Sequence, residues 1–167
     1  GPVAISGQPY TFEGYDTFAD TGTSGVDQII AQGNGPVDIG FLTFSAASGI
    51  EQIVNASSDG NGGTALVRLL GNWQSNLLDF SSVALIGGNF FIDGGDGNDS
   101  ITGTALDDRI RGGRDSDVLN GGDGSDTYLV SGSNPNNPVS STYDFEGYDL
   151  YADTGSSGID RKSTRLN

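Results

Sequence analysis

The chain contains no cysteine and no histidine. The first absence removes disulfides and thiol nucleophiles, the second removes imidazole acid–base chemistry, and together they remove the ligand sets that hold zinc. Any metal bound here must be bound by oxygen. Basic residues are scarce too, with 7 Lys plus Arg against 22 Asp plus Glu and a net charge of −15. Phosphate recognition needs basic patches, so DNA, RNA and anionic membrane surfaces are excluded as partners, and the natural counter-ion is a cation. No apolar run approaches the roughly 20 residues that cross a bilayer, so no membrane insertion is expected. The Gly1-Pro2 start, without a basic-then-apolar leader, reads as the scar of a removed tag.

What is present is glycine, 28 residues, against only 5 prolines in 167. That is a turn-rich chain and neither a Pro-rich disordered tract nor a collagen. Short β-branched runs such as Val26-Asp27-Gln28-Ile29-Ile30 and Leu66-Val67-Arg68-Leu69-Leu70 read as strands. The length suits one ordinary domain or one elongated solenoid.

Two repeats run through the chain. The longer one places Phe12-Glu13-Gly14-Tyr15-Asp16 again at Phe145-Glu146-Gly147-Tyr148-Asp149, and Ala19-Asp20-Thr21-Gly22 again at Ala152-Asp153-Thr154-Gly155. The likeness ends where Lys162 stands against Ile29, so 162–167 reads as a tail foreign to the repeat. One full period and the opening of the next imply a tandem array of units, or else an internal duplication with no assembly role.

The shorter repeat is a nonapeptide, written four times without gaps. It runs Gly94-Gly95-Asp96-Gly97-Asn98-Asp99-Ser100-Ile101-Thr102, then 103–111, then 112–120, then Gly121-Gly122-Asp123-Gly124-Ser125-Asp126-Thr127-Tyr128-Leu129. Each has Gly first, Asp sixth and a large apolar residue eighth. A Gly-rich hexamer makes a tight turn and the last three residues a short strand, whose middle side chain faces inward. Ile101, Ile110, Leu119 and Tyr128 would then form an internal ladder. With two nonapeptides per coil, successive coils stack at about 4.8 Å. Asp99 falls beside Asp117 on one edge, and Asp108 beside Asp126 on the other. Such carboxylates repel unless a cation lies between them. Turn carbonyls from Gly95, Gly97, Gly113, Asp115, Gly122 and Gly124 complete the six to eight oxygens Ca²⁺ takes, whereas Mg²⁺ demands a stiffer octahedron.

This pattern resembles the repeats-in-toxin (RTX) calcium-binding nonapeptide, Gly-Gly-x-Gly-x-Asp-x-(large apolar)-x. The departures are Thr104 and Leu106 at Gly positions of the second repeat and Asp115 at a Gly position of the third. They bear most on the Asp108/Asp126 site. The resemblance implies an all-β parallel β-roll or β-solenoid with Ca²⁺ as cofactor in the Gly/Asp turns. It also implies export by bacterial type I secretion and folding outside the cell, on the bacterial surface or in the medium.

The expected organisation is a scar and linker at 1–9, a β-rich region at 10–91, the RTX-like calcium roll at 92–133, a linker at 134–142 and the start of a next unit at 143–161. Ile92 extends the apolar ladder upstream without an acid. Region 10–91 is therefore expected to continue as metal-free solenoid coils, a separate small β-sandwich being the alternative. Its strands are expected at Val37 to Phe44, Ile50 to Val54, Leu66 to Leu70 and Leu77 to Leu85. A second acidic cluster, Asp16, Asp20 and Asp27, recurs as Asp149, Asp153 and Asp160. It reads either as calcium ligands at the junction of units or as solvated turns. Tyr10, Tyr15, Phe18, Tyr148, Tyr151 and Trp73 sit in polar surroundings. Most suit core or inter-unit packing, while Trp73 in a loop is the candidate for stacking on a sugar.

Function follows two ways. The first is a calcium-binding extracellular module, a structural or adhesive unit of a large secreted or cell-surface protein, with calcium ions and neighbouring units as partners. The second is a carbohydrate-binding module on a secreted polysaccharide-active enzyme, with a polysaccharide as partner. No catalytic residues are assigned, since the acids belong to turns.

Overall fold

The computed structural model describes residues 11–22, 24–131, 148–156 and 158–165. The expected linker at 134–142, all of 1–10 including Tyr10, and residues 143–147 lie outside them. The described chain is all-β. Its strands are β1 (Thr11–Thr17), β2 (Gln28–Ala31), β3 (Val37–Thr43), β4 (Gln52–Asn55), β5 (Val67–Leu70), β6 (Leu77–Asp79) and β7 (Ala84–Ile86). There follow β8 (Phe90–Gly95), β9 (Ser100–Thr102), β10 (Arg109–Gly113), β11 (Val118–Asn120), β12 (Thr127–Ser131), β13 (Leu150–Tyr151) and β14 (Arg161–Arg165). One 3₁₀ turn, Ala46–Ser48, is capped by Ser45.

Every strand pairing is parallel. One sheet runs β1-β3-β5-β8-β10-β12-β14, a second β13-β11-β9-β6 and a third β2-β4-β7. Parallel neighbours need a crossover, and here the crossover is the strand on another sheet: β9 lies between β8 and β10 in sequence, and β11 between β10 and β12. Each return to the same sheet therefore sets one strand on the last.

The register turns sequence spacing into columns. Ile39, Leu69, Ile92, Ile110 and Tyr128 are successive partners on the seven-stranded sheet. Leu78, Ile101, Leu119 and Tyr151 are successive partners on the four-stranded sheet. The apolar ladder read from the eighth positions thus becomes two facing columns, and Leu69, Leu78, Ile92, Ile101, Ile110, Leu119 and Tyr128 are all buried. Upstream, Phe41, Phe44 and Phe80 fill the wider interior, with ring centroids 5.0 to 5.6 Å apart.

The run expected from Leu77 to Leu85 is two strands, β6 and β7. Ser81 donates its backbone N–H to Asp79 Oδ1, and Val83 N–H bonds the Phe80 carbonyl, so the chain turns at Ser81-Ser82 while Phe80 and Val83 remain buried. The two expected apolar ends of one strand therefore belong to different sheets.

Candidate metal centre

Each sixth-position acid sits two residues before an inward apolar side chain, so the columns of the core fix the columns of the acids. The N–H of Asp99 donates to Asp117 Oδ1 at 2.8 Å, and the N–H of Asp108 to Asp126 Oδ1 at 2.9 Å, each 18 residues apart in sequence. The two expected pairs are thus brought together, one at each edge. All four acids are buried, at 0 to 5 % exposure.

Asp126 accepts there on Oδ1, and Asp99 accepts the Asn76 N–H on its own Oδ1. Oδ2 of Asp99 and Oδ2 of Asp126 are buried with no hydrogen-bond partner. An ionised carboxylate stripped of water and left unpaired is costly, and a hard cation is the partner that resolves it. Burial pushes the Asp99 carboxyl up to about 7 against the lowering pull of the Asn76 N–H, and the negative Asp117 beside it adds to the rise. Asp108 and Asp126 are pushed up to about 6, again first by burial. An acidic stripe that resists ionisation in the absence of metal fits Ca²⁺.

The turn residues adopt the conformations the motif requires. Gly97 and Gly124 at the fourth position have φ of 103° and 121°, and Asp115, standing where Gly is expected, keeps the turn at φ 74°. Gly95 and Gly122 share the positive φ, as does Gly113 at 117°, where a side chain would run into the Gly95 carbonyl of the coil below. The first-position glycines matter equally. A Cβ at Gly94, Gly112 or Gly121 would meet Oδ2 of the acid in its own repeat, so only Gly leaves room beside it.

Thr104 changes the second repeat chemically. Its N–H and hydroxyl both donate to Asp108 Oδ2, at 2.6 and 3.0 Å. The oxygen left bare in Asp99 and Asp126 is satisfied locally in Asp108, which makes Asp108 the poorer ligand.

Further coils carry the same frame in disguise. Residues 71–79 have Gly71 first, Asn76 sixth and Leu78 eighth; the Asn76 N–H donates to Asp99 Oδ1 at 2.7 Å, as Asp99 does to Asp117. The Asn76 amide donates to the Leu42 carbonyl, so the column ends in a neutral group. At the other edge the register puts Val37, Val67 and Phe90 in line beneath Asp108. Sequence reading missed this because crossovers of 23 and 30 residues replace 18 there; Gly, Asn and Leu at positions one, six and eight were the available signal.

The second acidic cluster is divided by the structure. Asp117 N–H donates to Asp149 Oδ1 at 3.1 Å and Asp126 N–H to Asp160 Oδ1 at 3.0 Å, so Asp149 and Asp160 continue the two columns. Asp153 Oδ1 accepts from the Gly155 N–H. In the first copy Asp16 lies on β1 opposite Phe41, and the Asp27 N–H donates to Glu51 Oε2 at 2.8 Å. Asp27 is held above the usual carboxylate range, first by the charge of Asp20.

Among the aromatics, Phe18 and Tyr151 pack on the core. Trp73 is 71 % exposed, with Tyr15 edge-on at 6.0 Å; Tyr148 is also exposed.

No curated protein and no solved structure gives a significant match. A family model does match: the RTX calcium-binding nonapeptide repeat, in four copies over residues 93–128. That span is the one in which buried carboxylates pair at 18-residue spacing. Over that span the chain carries RTX calcium-binding nonapeptide repeats, and calcium is the ion such repeats bind.

Proposed function

We propose that the chain is a β-roll that folds on Ca²⁺ and continues upstream as metal-free parallel solenoid coils, serving as a structural or adhesive unit of a larger secreted or cell-surface protein. The observation that carries this reading is the pair of stacked columns in which Asp99 and Asp126 each keep a buried oxygen without a hydrogen-bond partner. In the calcium-free chain those charges oppose folding, and metal binding converts the opposition into attraction. The upstream coils have Val37, Val67 and Phe90 in the corresponding positions and need no ion. Residues 148–160 support a repeated assembly, since the copy of an earlier segment pairs with β11 and its Asp160 accepts the Asp126 N–H. No helix among the described residues is long and apolar enough to cross a membrane.

One observation favours a second reading. Trp73 presents an exposed ring buttressed by Tyr15, a platform on which a sugar face stacks. Carbohydrate binding on a secreted polysaccharide-active protein is the function it would serve.

Far-UV circular dichroism of metal-stripped protein titrated with Ca²⁺, with Mg²⁺ as control, tests the first reading. A calcium-specific gain of β signal is expected, weakened in Asp99→Ala/Asp117→Ala. Full β signal without metal, together with no bound calcium by direct metal analysis, would sink it. Retention on immobilised polysaccharides that Trp73→Ala abolishes decides for the second.

A further inference from the structure

The four nonapeptides account for Asp99, Asp108, Asp117 and Asp126, but not for Asp153, which lies outside the nonapeptide frame. A carboxylate oxygen of Asp126, one of Asp153 and one of Asp160 lie within 4.8 Å of one another. Three acids on a surface are commonplace, yet here one is not on the surface. Asp126 is fully buried, and its Oδ2 has no hydrogen-bond partner.

From this geometry we propose that Asp126, Asp153 and Asp160 form an additional calcium site that fastens one repeat unit to the start of the next. Asp126 belongs to the last nonapeptide of one unit. Asp153 and Asp160 belong to the segment that repeats Asp20 and Asp27 and so opens the following unit. Their union in one group is a contact between units.

The neighbourhood holds Asp153 in place. Its Oδ1 accepts from the Gly155 N–H at 2.8 Å and its Oδ2 from the Tyr128 hydroxyl at 3.4 Å. That hydroxyl in turn accepts from the Gly121 N–H at 2.7 Å. Tyr128 is the one eighth-position residue of the four nonapeptides that carries a polar tip, and its tip reaches toward the junction. Three carboxylates give a hard, flexible oxygen set that suits Ca²⁺ and leaves positions for water. In an array, Asp20 and Asp27 of each unit would meet the last acid of the unit before it.

The inference rests on the calcium reading of the roll, and the experiment separates the two. Bound calcium is counted by equilibrium dialysis on the full chain and on Asp153→Asn and Asp99→Asn, each followed in parallel by circular dichroism. Tb³⁺ emission excited through tyrosine supplies a second readout, because Tyr128 touches the junction. The expected result is that Asp153→Asn loses one bound ion and most of the tyrosine-sensitised emission yet keeps the calcium-driven gain of β signal, whereas Asp99→Asn weakens that gain. An unchanged ion count and unchanged emission in Asp153→Asn overturns the junction site. Loss of the structural response in wild type overturns the roll itself.

Discussion

At the scale of the residue, the chemistry rests on which oxygen of each acid is already taken. Asp99 and Asp126 spend one oxygen on a backbone N–H and keep the other bare, while Thr104 gives Asp108 Oδ2 two donors. Raised carboxyl pKa values then have a definite sign. Asp99 at about 7 and Asp108 and Asp126 at about 6 bind protons more tightly in the fold than in the unfolded chain. Their contribution to the metal-free fold is complete below the ordinary carboxylate range and is lost as pH rises through about 6 to 7. Metal-free protein should accordingly melt at higher temperature at pH 5 than at pH 8, by scanning calorimetry. Added Ca²⁺ should raise the melting temperature strongly at pH 8 and little at pH 5, since protons compete for the same oxygens. A metal-free melting temperature that climbs with pH contradicts the assignment.

At the scale of the element, strands of two to seven residues are held by what they carry across the sheet. The buried Asp93 on β8 is gripped bidentately by Arg111 on β10, and Asp38 on β3 by Arg68 on β5. These bridges join neighbouring coils, and Arg109 and Arg111 lie over the Phe91 ring at 5.6 and 6.0 Å. Replacing Arg111 by Ala strands Asp93, with an expected loss of about 3 kcal/mol by urea denaturation at saturating Ca²⁺. The double change Arg111→Met/Asp93→Leu should recover most of it, because no buried charge is left behind. The strands themselves were legible wherever a nonapeptide is regular, since Gly, Asp and an apolar residue at fixed positions dictate turn, ligand and core together. Between β1 and β8 the crossovers vary in length, so Asn76 did not stand out as a column member. The Asp93–Arg111 bridge was illegible for another reason: it depends on register between coils, which single-strand patterns do not encode.

For the whole molecule, stability is shared between neighbours along a stack, as in other repeat proteins. β13 and β14 cover the end formed by β11 and β12, and Tyr151 packs edge-on against Tyr128 at 5.2 Å. Ending the chain after Ser131 should expose that end and two bare strand edges. The expected outcome is a lower melting temperature in Ca²⁺ and concentration-dependent association by sedimentation velocity. An unaltered, monomeric product would show that the last coil is ornamental.

Asn76 has a consequence for the direction in which the chain acquires structure. Its amide closes against the Leu42 carbonyl, while its N–H donates to Oδ1 of Asp99, the first acid of the column. A coil neutral on one side and ready for a charged neighbour on the other is a seed with a single growing end. Ion-driven ordering should then start at that seed and advance away from it, which hydrogen exchange at limiting Ca²⁺ would show as protection of β9 ahead of β12.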